Sequence, residues 1–217
     1  IDQTSAYKGD LWRYNPSTNE WTWVHGSNSS GAGAPQISAT AQGVPSISNT
    51  PGCRYGSCTW TSLDGNTLYL FGGWGMTGMG AQGLYNNLWS YDIANNTWTY
   101  LKGALGMTQA ALYTGASGSL TPGSKQGAVG WTGPDGKLYL FGGNGYASGA
   151  TSGLTNDLWK YDPATNNWIF INGNTTINPI SGTSPGGMTE AVAFYDGTSN
   201  KAYITGGLGR TWNSTAG

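Results

Sequence analysis

The chain has 217 residues, among them 37 Gly, 11 Trp and 13 Tyr, with charged side chains at only 9% and a formal net charge of -1. Disordered chains are charge-rich and poor in aromatics, so this composition excludes disorder, and it lacks the basic footprint of a nucleic-acid binder. No apolar run approaches the ~20 residues of a membrane span.

The elements follow one another in a fixed order. Asp10-Leu11-Trp12-Arg13-Tyr14-Asn15 alternates with the period of two expected of a half-buried strand, and Trp21 opens a second strand after a short turn. Residues 25–50 form a long link to Pro51-Gly52. A strand is then expected from Tyr55 to Thr61, a turn at Asp64-Gly65-Asn66, and a strand over Leu68-Tyr69-Leu70-Phe71 that ends at Gly72-Gly73. After the link 74–86, Asn87-Leu88-Trp89-Ser90-Tyr91-Asp92 restates the first segment, and Trp98 restates Trp21.

The same series returns as Pro122-Gly123, a strand over Gly127 to Thr132, the turn Asp135-Gly136, Leu138-Tyr139-Leu140-Phe141-Gly142-Gly143, Asp157-Leu158-Trp159-Lys160-Tyr161-Asp162 and Trp168. It starts once more with Pro185-Gly186, a strand over Ala191 to Tyr195, and Ala202-Tyr203-Ile204-Thr205-Gly206-Gly207. A unit that recurs with constant cores and elastic links is a repeat architecture. Each unit has four strands: residues 1–24 hold strands three and four, residues 53–101 and 122–171 hold all four, and residues 185–207 hold strands one and two.

The Gly pair, the later Tyr and the Trp at fixed distance resemble the kelch-repeat family over nearly the whole chain. The resemblance implies an all-β fold, four-stranded blades arranged radially as part of a β-propeller. The chain supplies about three blade equivalents, fewer than the usual closed ring. Two completions are expected: further repeats of a longer chain, or half-blades from another copy that together form a ring or filament. Open half-blades leave unpaired strand edges, so an isolated monomer is the least favoured state.

In a four-stranded meander, links one-two and three-four emerge on one face and links two-three and four-one on the other. Every long link here belongs to the second set, which makes that face the expected binding surface for a glycan or protein. The candidate ligand-binding residues are Trp74, Met76, Tyr85, Asn144, Tyr146, Arg210 and Trp212. Aromatic faces beside Asn and Gly suit sugar rings, which offer apolar faces and hydroxyl edges. Arg54 aligns with Lys125 and then with Met188, so this basic position reads as solvated.

Catalytic constellations are sparse. The single His25 has no neighbouring Cys or His, whereas a zinc site needs three or four ligands. An oxidase on a kelch-like propeller holds copper with two His and two Tyr, which one His cannot supply. No Gly-x-Ser-x-Gly elbow occurs, and Glu190 is an isolated acid near the start of an inner strand rather than half of a glycosidase pair. The chain is therefore expected to bind without catalysing, with no cofactor; a non-catalytic part of a larger kelch-containing enzyme is the further alternative. The sequons at Asn28, Asn95, Asn174 and Asn213 and the polar, uncharged surface suggest an extracellular or cell-surface setting. The chain starts at Ile1 without Met, which is compatible with a removed leader. Cys53 and Cys58 are candidates for a disulfide. It requires a turn or bulge at Arg54-Tyr55-Gly56, because a regular strand would hold the two ~16 Å apart. Otherwise Cys58, aligned with Val129, is a small core residue.

Overall fold

A computed structural model describes residues 7–27, 36–76, 81–180 and 184–210. Among these residues there is no helix, and all strand pairs are antiparallel. The second module is a four-stranded meander of Cys58–Thr61, Thr67–Phe71, Leu88–Asp92 and Thr97–Lys102. The third repeats it with Val129–Thr132, Leu138–Phe141, Leu158–Asp162 and Asn167–Asn172. Among the described residues the first module contributes only Leu11–Asn15 with Glu20–His25, and the fourth only Val192–Asp196 with Lys201–Thr205 in its main sheet. The strands form the expected all-β architecture, part of a β-propeller.

Two local devices recur. The register shifts between Leu11 and Trp12, between Leu88 and Trp89, and between Leu158 and Trp159, so a β-bulge belongs to the module. At the hairpin turns Asn19, Asn96, Asn166 and Asn200 adopt left-handed φ of 57, 53, 54 and 54°. Each accepts a hydrogen bond from the tyrosine five residues upstream: Tyr14, Tyr91, Tyr161 and Tyr195, at 2.6–2.8 Å. Asn tolerates this conformation better than other side chains, and the phenol holds it there. The carboxyls of Asp64, Asp92 and Asp196 lie below the usual range, held first by side-chain hydrogen bonds from Ser62, Asn95 and Ser199 and then by turn N–H groups.

The sequence reads the stretch after each Gly pair as a loop, and here the structure differs. Gly72 and Gly73, with φ of 68 and 94°, turn the chain out of the main sheet into a second, three-stranded one: Arg54–Tyr55, Trp74–Met76 and Gln82–Leu84. The third module builds the same small sheet from Lys125–Gln126, Asn144–Tyr146 and Ser152–Leu154. Strand one is correspondingly split, at Gly56 and at Gly127, rather than running unbroken from Tyr55 or Gly127.

Consecutive modules join by repeated backbone bonds. Arg54 N–H donates to Lys8 O, Lys125 N–H to Tyr85 O and Met188 N–H to Thr155 O, each at the same place in the repeat. Gly127 N–H donates to Gly56 O at 2.8 Å and Glu190 N–H to Gly127 O at 2.7 Å. Strand one of the third module touches strand one of both neighbours, which makes strand one the inner edge of the arc. Side chains complete the junctions: Trp60 donates its indole N–H to Tyr139 O, and Phe71 meets Trp168 edge-on at 5.4 Å.

Burial marks which modules are covered. Trp89 and Trp159 are fully buried, but their equivalent Trp12 is 50% exposed; Trp98 and Trp168 are 7% and 1% exposed against 66% for Trp21. Phe194 and Tyr203 of the fourth module are likewise exposed. The tilted ring pairs Tyr14–Trp21, Tyr91–Trp98 and Tyr161–Trp168 keep centroid distances of 5.1–5.2 Å in all three copies, so the first module has the module's internal shape without its cover.

The cysteines do not pair. Cys53 and Cys58 are free and buried, which corrects the disulfide expectation. The chain does turn at Gly56, but it turns from one sheet to another and sends the thiols to opposite neighbours. Cys53 Sγ lies against Gly9 of the first module and Cys58 Sγ against Gly130 of the third. Burial pushes both thiols up, so neither presents a ready thiolate.

Candidate functional site

The solvated reading of the basic repeat position is also corrected. Lys125 is buried and its Nζ lies 2.6 Å from Asp157 Oδ1, with Thr155 Oγ1 at 3.1 Å. Asp157 Oδ2 accepts the Trp159 indole N–H at 2.7 Å and the Tyr113 hydroxyl at 3.1 Å. Burial, reinforced by this carboxylate, pushes the Tyr113 phenol well up. In the second module Arg54 takes the lysine's place and Asn87 the aspartate's. The Arg54 guanidinium donates to Asn87 Oδ1 at 2.7 Å, to Gly72 O at 2.8 Å and to Pro51 O, and stands 4.8 Å above the Tyr85 ring. Burial lowers it to about 9, which leaves it charged at neutral pH. These cations tie the small sheet to strand three and are structural.

Tyr85, expected on the binding surface, is therefore a buried platform for Arg54, only 2% exposed. Trp212 lies outside the described residues, as do Asn28 and Asn213. Asn95 and Asn174 are exposed, and each is hydrogen-bonded to its own module, to Asp92 and Asn156. Arg210 is exposed, its N–H bonded to Gly187 O at 2.9 Å.

The remaining candidates fall at matched positions of the small sheets. Trp74 is the direct partner of Tyr55, and Asn144 of Gln126; Leu208 pairs with Thr189 in the fourth module. Directly opposed residues of an antiparallel pair share a face. Trp74 and Tyr55 thus stand together, while Met76 and Tyr146 occupy the outer end of the same strands, opposite Gln82 and Ser152. Tyr7 extends the aromatic surface by stacking on Tyr55 at 5.5 Å and 20°. Gln82 Oε1 accepts from Tyr7 at 3.0 Å and from the Trp74 indole at 3.4 Å.

Sequence reasoning missed Tyr7, Tyr55, Gln82 and Gln126. The available signal was positional: Tyr55, Gln126 and Thr189 each lie one residue before the break in strand one. Passing from the second to the fourth module, the directly opposed pair changes from two aromatics to two amides and then to Thr189 with Leu208.

A cleft of about 680 Å³ lies elsewhere, between Asp10 and Leu11 of the first module and Thr59, Trp60 and Leu70 of the second. At the next junction the same space is filled by strand one of the second module, whose Trp60 packs on Gly130 and whose Thr61 O accepts from Thr132. It is a blade-packing surface and not a built ligand site. Among the described residues, no three His, Cys, Asp or Glu side chains gather as metal ligands. His25 bonds to Ile47 O at 3.1 Å and meets Tyr91 and Trp98 edge-on, fixing the long link to the second module.

A sequence profile described as Kelch motif matches residues 61–103, and a second of the same description matches residues 127–173. The chain is also 38% identical over 74 residues to proteins named N-acetylneuraminate epimerase from Escherichia coli (strain K12), Shigella sonnei (strain Ss046) and Shigella flexneri serotype 5b (strain 8401). That stretch is 34% of this chain and 17% of each relative.

Proposed function

From the premise that this chain belongs to the kelch-repeat family, we propose that it is a carbohydrate-binding part of a β-propeller, acting through the long-link face without catalysing. One observation carries the reading. The small sheets set an aromatic pair, Tyr55 and Trp74, beside an amide pair, Gln126 and Asn144, at equivalent positions of adjacent modules. An apolar plate next to hydrogen-bonding edges is the complement of a sugar ring. The matched relatives are named for a sugar acid, which supports the substrate class; their activity is not carried over on 17% of their length. The exposed sequons at Asn95 and Asn174 and the low charge support a place outside the cell or at its surface.

A glycan array probed with the chain tests this. Trp74→Ala is expected to weaken the bound signal about tenfold, the scale of one lost aromatic stack with its buried area. Tyr146→Ala, at the outer end of the strands, should weaken it less. Binding indifferent to both changes, or no binding at all, would count against the site.

A second reading has its own observation. Strand three of the first module and strand two of the fourth each keep one edge unpaired among the described residues, and Trp12, Trp21, Phe194 and Tyr203 lie exposed on the two half-blades. In the closed modules Leu138 pairs with Tyr161 and Leu140 with Trp159. The same register sets Ala202 against Tyr14 and Ile204 against Trp12. We read these half-blades as completing each other, between copies or through further repeats. Light scattering on the chain is expected to show association as concentration rises; a strict monomer at high concentration would sink completion between copies.

A further inference from the structure

Strand one of each complete or partial module from the second onward breaks at one residue: Gly56, Gly127 and Glu190, with φ of 67, 61 and 58°. The first two are glycine, for which this left-handed conformation is free of steric penalty. The third is a glutamate, for which it is not. The backbone bonds that link Gly56, Gly127 and Glu190 in sequence impose the conformation, so Glu190 cannot relax out of it.

Among the described residues, seven non-glycine residues have positive φ, and five are Asn. Those five accept hydrogen bonds at their side-chain oxygens, four from tyrosines and Asn178 from Leu154 N–H. The sixth, Thr108, donates its hydroxyl to Met107 O. Glu190 is the exception: it is exposed, and among the described residues its carboxylate has no partner. Strain retained at one position of a repeat, with no local bond to account for it, points to a role for the side chain.

Its surroundings indicate which role. A Cβ on Gly127 would stand against Thr189 Oγ1 and 3.2 Å from Glu190 Cγ, so the missing side chain of one module makes room for Thr189 and Glu190 of the next. Gly56 makes room for Gln126 in the same way, at 3.2 Å. Gln126 Oε1 is buried and has no hydrogen-bond partner. These two unfilled side-chain groups, the Glu190 carboxylate and the Gln126 amide oxygen, are both acceptors. Their complement is a donor-rich ligand edge, and a sugar carboxylate would be repelled.

Resting on the carbohydrate reading above, we propose that Glu190 is the specificity-determining residue of that site: its carboxylate accepts two adjacent hydroxyls of a neutral sugar ring whose face lies toward Tyr55 and Trp74. Glu190→Gly tests this, because it restores the residue the backbone favours while removing the carboxylate. The variant, Glu190→Gln and the unaltered chain are applied to an array carrying neutral and sialylated glycans, and their melting temperatures are compared.

The expected result is a Glu190→Gly melting temperature equal to the original or higher by about 2–4 °C, with neutral-glycan signal reduced at least about tenfold, the scale of charge-assisted hydrogen bonds. Glu190→Gln should fall between. Undiminished binding by Glu190→Gly would overturn this inference and leave the carbohydrate reading standing. A lowered melting temperature would overturn the strain argument, and binding confined to sialylated glycans would overturn the neutral class. An unaltered chain that binds no glycan would overturn this inference and the carbohydrate reading together.

Discussion

Asp157→Ala is expected to destabilise the chain by about 3–5 kcal/mol, the cost of leaving one member of a buried ion pair alone. For a chain of this size that lowers the melting temperature by roughly 6–20 °C. Three donors lose their acceptor at once: the Lys125 ammonium, the Trp159 indole N–H and the Tyr113 hydroxyl. Lys125 and Asp157 are both fully buried, so water cannot take the carboxylate's place. The repeat contains its own controls, because the equivalent pair in the second module is Arg54 with Asn87, and the fourth module carries Met188 at the basic position. Asp157→Asn should keep the indole bond, as Asn87 does for Trp89 at 3.0 Å, but leave the ammonium uncompensated. Adding Lys125→Met to it removes that charge and should recover more than half of the loss. Urea unfolding of the two single variants and the double closes the cycle. A loss under about 1 kcal/mol for Asp157→Ala would mean that the pair's desolvation cancels its attraction.

Gly173→Ala is expected to cost about 3 kcal/mol or more. Gly26, Gly103 and Gly173 occupy one position of the repeat, five residues after Trp21, Trp98 and Trp168, with φ of 100, 91 and 108°. A Cβ on Gly173 would lie 2.7 Å from Asp157 Cα, and one on Gly103 would lie 2.8 Å from Asn87 Cα. Both obstacles are backbone immediately before the bulged strand three, so neither can swing aside as a side chain end would. The left-handed penalty of about 1–2 kcal/mol is then added to displacement of packed main chain. Gly65→Ala separates the two effects: its φ is 74°, but a Cβ there meets nothing within 4 Å, so only the conformational part of about 1 kcal/mol is expected. Thermal unfolding of the two variants side by side measures the difference. Equal losses would show that the close approach at Gly173 contributes nothing.

The repeat and the strand order were legible because they rest on period-two alternation and on Trp, Tyr and Gly spacings that recur. The small sheets were not. Trp74–Met76 and Gln82–Leu84 are three residues each, too short for any period to show, and the Gly pair before them reads equally as a strand end or a turn. Burial of Arg54 and Lys125 was hidden for another reason. Their partners Asn87 and Asp157 stand 33 and 32 residues away, and a basic residue that is lost in the fourth module looks like a solvated one. Tyr85 misled because an aromatic in a link is indistinguishable, by sequence, from one serving a cation beneath the surface. Of the candidate site, Trp74 and Asn144 were found from the Gly pairs that precede them; Tyr55 and Gln126 come from the opposite side of the same hairpins, where only pairing reveals them. Glu190 stood out as an isolated acid, but its alignment with two left-handed glycines needed the backbone angles.

Main-chain bonds cross each junction in both directions. The later module donates from Gly127 to Gly56, Glu190 to Gly127, Lys125 to Tyr85 and Met188 to Thr155, and the earlier module donates back from Gly73 to Lys125 O and from Gly143 to Met188 O. Lys125 and Met188 thus engage the preceding module with both their N–H and their C=O. The leading side of each junction uses strand one, and the trailing side uses the Gly pair and the stretch before strand three, so the two ends of the arc are different surfaces. Whatever extends the arc, further repeats or another copy, is expected to join head to tail, end to opposite end.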